Sequence, residues 1–481
     1  MNYINRGYKK LLLTSLGLLG ALSFSVGQSM AGAELSLAHP LSAKEMDESV
    51  KTLCDYLKVD TTNPPGNETA GAQFLAKILH ENGIKAEVFE TAPNRSCVYA
   101  RLTGNGKKGA LVLLSHIDVV PAKASDWKHP PFAGEIHDGE IWGRGALDMK
   151  GQGIIELASL LAIKRSGVVL DRDIIFLATP DEEIGGTYGA KWFAEHKADL
   201  VKGAEYLINE GFSIDAKSNG EMKYWGVDVA EKSILWLSLK AKGLAGHASM
   251  PQIDSVNNRL VTALAKIAKN PPPMTVLPAV KEYFTAIAPR EESPEKELYA
   301  RIEDVIKEGG HETELRKDKL KSSMLANTCS ITVLKAGYKT NVIPAEAEAE
   351  LDCRLLPGVD KQEFIDFIKK TIDDDSIEIK VLEWEKAEPS DHKSNFFKAV
   401  RKAAEYEKTT APVVPMVVPW FTDSHWFREL GIKAYGFEPI EVDAEHLATM
   451  HGKDERIAVA GFKRAIERLT RVIYYLSQES N

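Results

Sequence analysis

The sequence predicts an α/β fold, a mostly parallel sheet with helices on both faces, interrupted by an inserted α+β domain. Two observations carry that expectation. Apolar runs of strand length alternate with helical stretches between residues 110 and 209, and strands that are apolar on both faces belong to a parallel sheet covered on both sides. Near residue 231 the pattern changes to alternating apolar and polar residues, and from about residue 395 it returns to helix, apolar strand and long helix. One unit is therefore divided by another of different style.

The elements follow in order. Residues 44–58 and 69–82 read as amphipathic helices separated by the turn-forming stretch Thr61-Thr62-Asn63-Pro64-Pro65-Gly66. Apolar strands are expected at Ala110–Val120, Asp173–Thr179 and Ala204–Asn209, with helices at about 151–166 and 189–196 between them. In the inserted unit, Ser233–Lys242 alternates as a half-exposed strand does, a helix covers about 257–269, and residues 290–326 are charged and helical. Strands at 328–334 and 345–354 and a helix at 361–372 complete it. From Asn395 the chain returns to helix, an apolar strand at 411–418, a turn, a further strand and a long helix at about 454–478. The 481 residues thus divide into a leader, 1–33, a first α/β part, 34–230, an inserted unit, 231–388, and a second α/β part, 389–481.

The leader is assigned from its own chemistry. Arg6, Lys9 and Lys10 precede an apolar run from Leu11 to about Val26, and small residues follow. That is the pattern of a secretory signal peptide cut after Ala33, so a secreted or periplasmic protein with no membrane span in its mature chain is expected. Its removal takes the net charge from -9 to about -12. With no Lys/Arg cluster in the chain, that acidic balance argues against a nucleic-acid partner. Cys54, Cys97, Cys329 and Cys353 have neither zinc-site spacing nor the density of a disulfide framework, and read as buried thiols.

In an open α/β sheet, ligands bind beyond the carboxyl ends of the strands. The first apolar strand runs into Ser115-His116-Ile117-Asp118, the second into Asp181-Glu182-Glu183-Ile184-Gly185-Gly186 and the third into Asn209-Glu210-Gly211. Gly143-Arg144-Gly145-Ala146-Leu147-Asp148 precedes a helix, and Glu445-His446 through His451-Gly452 precedes the last one. Singly, each has an ordinary structural reading: Glu182-Glu183 as a solvated loop, Asp148 as a helix N-cap, His116 as a hydrogen-bonded rim residue. Their convergence on one sheet edge favours a metal site. Imidazole and carboxylate without thiolate suit zinc, with cobalt or manganese as alternatives, in a catalytic setting.

Those segments, with Gly246-His247-x-Ser249, resemble the metallopeptidase family of aminoacylase, glutamate carboxypeptidase and succinyl-diaminopimelate desuccinylase, in the family's order from about residue 45 to 475. The stretch Trp127-Lys128-His129-Pro130-Pro131-Phe132 through Gly139–Gly145 is similar to the carboxypeptidase S-like and N-acyl-amino-acid synthase/hydrolase branch. The resemblance implies a zinc-exopeptidase fold and a hydrolase that cuts an amide bond next to a free carboxylate. Its substrate would be a short peptide, as for a carboxypeptidase, or an N-acyl amino acid, as for a deacylase. A non-catalytic, metal-dependent secreted binding protein is the alternative from another class.

The resemblance also implies roles. Asp148 would bridge two zinc ions, one held also by His116 and Glu210, the other by Glu183 and His451. Glu182 would be the general base, and Asp118, on the same strand face as His116, the carboxylate that orients the imidazole. The inserted unit would be a lid, which in this family often pairs in a homodimer. From it His247 would donate to the developing oxyanion while Asn341 and Arg354 grip the substrate. One departure stands out: the branch tends to carry Thr-Asp-Ser-Arg where this chain has Thr422-Asp423-Ser424-His425.

Overall fold

A computed structural model describes residues 41–478. The signal peptide expected at residues 1–33 lies outside the described residues. The sheet of the main unit has eight strands, with the apolar strands expected at 110–120, 173–179 and 204–209 at its centre and the one expected at 411–418 at an edge. Ile174–Thr179, Ala110–His116, Ala204–Ala216 and Lys433–Val442 lie side by side and parallel. At one edge Ala86–Ala92 and Arg95–Leu102 add an antiparallel hairpin, and at the other Met222–Glu231 and Val413–Val418 pair in parallel. The α/β expectation holds, with antiparallel strands toward the edges. The edge strand Ala86–Ala92 has half-exposed faces, so it lacks the continuous apolar run that revealed the central strands.

Helices Ala43–Leu57, Glu68–Glu81, Lys150–Ser166 and Val459–Ser477 supply much of the cover. Ala43–Leu57 starts with a capping box, in which the Ser42 hydroxyl accepts from the Glu45 N–H and the Glu45 carboxylate reaches back to Ser42 N. Lys150–Ser166 is buried over nearly its whole length and ends at Gly167, whose φ of +67° is left-handed. Its N-cap is Met149 rather than Asp148, which leaves the Asp148 carboxylate free for other partners.

The lid is an antiparallel sheet in the order Thr328–Ala336, Glu346–Leu355, Ser233–Lys242, Ile377–Glu385. Along Glu346–Leu355 burial alternates residue by residue, as the sequence pattern requires of a sheet with one wet face. Leu235, Leu237 and Leu239 form a separate small core with Val256, Leu260 and Leu264 of helix Val256–Lys269 and with Phe364 and Ile368 of helix Lys361–Ile372. Each fully buried leucine contributes about 1.5–3 kcal/mol. The helices between Pro278 and Leu325 pack elsewhere. Val280, Tyr283, Phe284, Met324 and Leu325 join the main core with Trp225 and Val414, although in sequence they lie between strands of the lid.

Candidate active site

Three neighbouring strands deliver the first ligands. His116 is the last residue of Ala110–His116, and Ile174–Thr179 leads into the short turn Glu182–Ile184. Glu210 lies within Ala204–Ala216, a strand that continues past the point where its apolar run ends. Asp148 comes from the loop before helix Lys150–Ser166, and His451 from the loop before the last helix, at φ +55°.

These side chains meet. His116 Nε2 is 2.9 Å from Asp148 Oδ1 and 3.7 Å from Glu210 Oε2. His451 Nε2 is 2.8 Å from Asp148 Oδ2 and 3.1 Å from Glu183 Oε2. Asp148 thus stands between the two imidazoles, with Glu210 beside His116 and Glu183 beside His451. Ligand atoms of His116, Asp148 and Glu183, and again of His116, Glu182 and Glu210, fall within 4.8 Å of one another.

Asp118 lies just past the strand end and meets the His116 ring through its carbonyl, not through the carboxylate as expected. His116 Nδ1 is 2.9 Å from the Asp118 carbonyl oxygen and 3.6 Å from its carboxylate, so the hydrogen bond goes to the carbonyl. A carbonyl only accepts, so Nδ1 carries the proton and Nε2 faces the cluster as a lone-pair donor when the ring is neutral. The Asp118 carboxylate accepts from the backbone N–H groups of Glu182 and Glu183 at 3.1 and 3.2 Å and from Asn63 Nδ2 at 2.8 Å. It therefore fixes the turn that carries the acidic pair. Asp181, before that pair, adopts φ +77° and is held by Arg95 and by the Tyr188 N–H at 2.9 Å. Gly186, at φ +68°, leaves room for Asp423, whose Oδ1 would lie 2.6 Å from an added Cβ.

Electrostatics shows what the cluster lacks. Burial pushes the Glu182 carboxyl well above its usual range, and the Glu210 charge adds to it. Burial also raises Glu210. Burial alone would raise Asp148, yet the two imidazoles hold it well below the ordinary carboxylate range. Hydrogen bonds to Asp148 and Glu183 push His451 up to about 10. The site draws positive charge, as protons or as cations. Glu183 Oε1 and Glu210 Oε1 are buried without a hydrogen-bond partner, and such oxygens fit metal ligation. The donor set is imidazole and carboxylate only, so the residues fit a pair of divalent ions.

Beside the cluster opens a cavity of about 520 Å³. Asp148, Glu182, Glu183, Glu210 and His451 form its polar end; Phe212, Leu320, Trp420, Phe421, Leu447 and Met450 make most of the rest apolar. Leu320 is contributed by helix Lys319–Leu325, from the stretch that packs on the main core.

The three lid residues stand apart from this lining. His247 and Asn341 are exposed neighbours on a small ribbon, where His247 pairs with Val342 and the Ala248 N–H donates to the Asn341 carbonyl at 3.2 Å. Arg354 donates through Nε and Nη2 to both carboxylate oxygens of Asp352, at 2.7 and 3.0 Å.

One residue was missed by sequence reasoning. Glu455 is wholly buried and accepts from Arg144 Nη1 at 2.5 Å and from the N–H groups of Gly145, Leu147 and Asp148 at 3.0, 2.7 and 3.0 Å. It builds the Asp148 loop. The available signal was an acid close after His451 in a chain whose Gly-Arg-Gly loop carries an arginine.

Residues 112–475 match the family model described as peptidase family M20/M25/M40. The chain belongs to this family. The M20 chain is 31% identical over 376 residues to N-fatty-acyl-amino acid synthase/hydrolase PM20D1 of Xenopus tropicalis, covering 77% of this chain and 72% of that protein. It is 29% identical over 370 residues to probable carboxypeptidase S-like 2 of Dictyostelium discoideum, covering 74% and 70%. Among solved structures, the M20 family metallo-carboxypeptidase Sso-CP2 of Sulfolobus solfataricus superposes with a TM-score of 0.66 at 22% identity, over 89% of this M20 chain and 99% of that one. That likeness is one of fold.

Proposed function

We propose that this M20 chain is an exported hydrolase that holds two zinc ions and cleaves an amide bond adjacent to a free carboxylate. Its substrates are short peptides or N-acyl amino acids. The carrying observation is Glu182: a half-buried carboxyl within reach of His116 and Glu210, its pKa raised by desolvation, on a turn fixed by Asp118. When bound, the ion pair supplies Lewis acidity toward the scissile carbonyl and lowers the pKa of water. Glu182 takes a proton from the attacking water and returns it to the leaving nitrogen as the C–N bond breaks, a task that suits a raised pKa. Asp148, His116, Glu183, Glu210 and His451 are the residues that hold the ions.

The apolar end of the cavity favours substrates with an apolar acyl group or side chain. Arg354 is the residue proposed to receive the substrate carboxylate, in exchange for Asp352; His247 and Asn341 act when the lid, or a partner's lid, closes. Leu244, Met250, Ile253 and Tyr338 are exposed apolar residues on the lid and support a homodimer through that surface. Residues 1–33 support export to the periplasm or beyond. No helix of the described residues is long and apolar enough to cross a membrane.

The test is a panel of N-acyl amino acids and dipeptides, as free acids and as C-terminal amides, assayed with and without added zinc. Free acids should be cleaved and their amides poorly, because an uncharged amide leaves a site built for an anion unpaired. Equal rates on acids and amides remove the carboxylate requirement. Full activity in a metal-free preparation removes the metal-dependent hydrolase. Nothing in the site favours the non-catalytic alternative.

A further inference from the structure

A second group of ligand-type atoms lies where the lid joins the main unit, and Phe421, which lines the cavity, also packs against it. Glu385 is the last residue of the lid's edge strand Ile377–Glu385, opposite Ile234. His425 and Glu429 are one turn apart on helix Ser424–Glu429 of the main unit. One ligand atom from each falls within 4.8 Å of the others.

The geometry is that of a coordination site rather than of hydrogen bonds. The His425 side chain is 4% exposed, with its Nε2 3.4 Å from Glu385 Oε2 and 3.6 Å from Glu429 Oε1. That buried Nε2 has no hydrogen-bond partner. An N–H donor facing a carboxylate normally closes to about 2.7–2.9 Å. A tetrahedral ion with bonds of about 2.0–2.2 Å sets its ligands about 3.3–3.6 Å apart, which matches both separations. Phe421 and Trp426 wall the ring, with centroids 5.0 and 4.8 Å away. The nearby Lys191 ammonium lies 4.7 Å from the centre of the Trp426 ring.

We propose that Glu385, His425 and Glu429 bind a further divalent ion of the zinc class, which ties the lid's edge strand to the 424–429 helix. Imidazole with two carboxylates leaves an open position for water, as zinc accepts. The placement gives the ion a mechanical role. The same helix also holds a second of the chain's crossings between the lid and the main unit. Arg428 forms an ion pair with Glu231, whose Oε1 accepts from Thr422 Oγ1 at 2.7 Å, and Glu231 ends the strand that leads into Ser233–Lys242. Both connections therefore meet at one short helix, and an ion there fixes the lid against the main unit.

The site shares no ligand residue with the catalytic pair, so its test counts a difference. Holoprotein of wild type, His425→Gln and Glu429→Gln is dialysed against micromolar zinc chloride, and zinc per chain is measured by plasma mass spectrometry. His425→Gln should hold one zinc fewer than wild type, and Glu429→Gln should bind that zinc about tenfold or more weakly in a titration. Equal zinc content and affinity in all three overturns the proposal whatever the total, and leaves the catalytic pair untouched. If His425→Gln fails to fold by circular dichroism, Glu429→Gln decides, since its side chain is 56% exposed. His129, Glu135 and His137 form another ligand-type group, on the surface, so His137→Gln is run alongside. Loss of the extra zinc in that variant and not in His425→Gln also overturns the proposal.

Discussion

Replacing Glu455 by glutamine should loosen both halves of the metal site at once. Glu455 Oε1 accepts from the Leu147 and Asp148 N–H groups, and Oε2 from Arg144 and the Gly145 N–H. A glutamine keeps one oxygen and turns the other position into an NH₂ donor. Whichever way the amide turns, two buried donors then face a donor. An orphaned buried donor costs about 1–3 kcal/mol, and a buried charge that loses its partner about 3–5 kcal/mol. A loss of at least about 3–5 kcal/mol follows from the charge alone, and at about 2 °C per kcal/mol for a large unit the melting temperature should fall by at least about 6–10 °C. The carboxylate of Asp148 touches both His116 and His451, so displacement of its loop acts on both ligand groups. Zinc affinity should drop about 10–100-fold at both positions. Thermal melts followed by circular dichroism, with zinc competition against a chromophoric chelator, measure the two effects. A variant that melts and binds zinc as wild type does would refute the role given to Glu455.

Other expectations separate the remaining parts. Glu182→Gln should keep its metals and slow turnover by about 10²–10⁴-fold, whereas Glu183→Gln should lose metal; the opposite pattern reverses the two assignments. His247→Ala should retain fold and zinc and lose about 10²–10³ in turnover, and near-wild-type turnover would sink the lid's part in the chemistry. His446 donates toward Asp443 at 2.7 Å and Glu140 at 2.5 Å; burial alone would lower its pKa, but these acids raise it above 6.5. The folded state therefore binds the proton more tightly. The stabilisation is fully present below about pH 6.5 and is lost as pH rises through the raised value. Melting temperature should fall over that window in the wild type and less in His446→Gln; equal slopes count against the pairing. Cys329 and Cys353 face each other across two lid strands with sulfurs 3.3 Å apart. Glutathione disulfide should oxidise them, detected as a mass lower by two hydrogens, and raise stability by about 3 kcal/mol at most. Thiols that persist under that treatment contradict the expectation.

The amino-acid sequence by itself determined three of the central strands, three of the four lid strands and the residues at the strand ends; it did not show the lid's edge strand Ile377–Glu385. Burial on both faces leaves a continuous apolar run and burial on one face an alternation, both local in the chain. Strand Ser233–Lys242 and helix Lys361–Ile372 lie where the pattern places them. His116, Glu182, Glu183 and Glu210 were legible because a parallel sheet brings its strand ends together whatever the loops do. The edge strand Ala86–Ala92 and the late part of Ala204–Ala216 were not, since neither is an uninterrupted apolar run. Only the tertiary structure decided that helices from the lid's stretch of sequence supply Leu320 to the cavity, and that Asp118 grips the turn of the acidic pair. It alone joined Glu455 to Arg144, 311 residues away, and Glu385 to His425. Periodicity records which face of an element is buried. It does not record which distant polar group lies opposite, because a buried charge is satisfied by any partner of the right chemistry and the fold selects that partner.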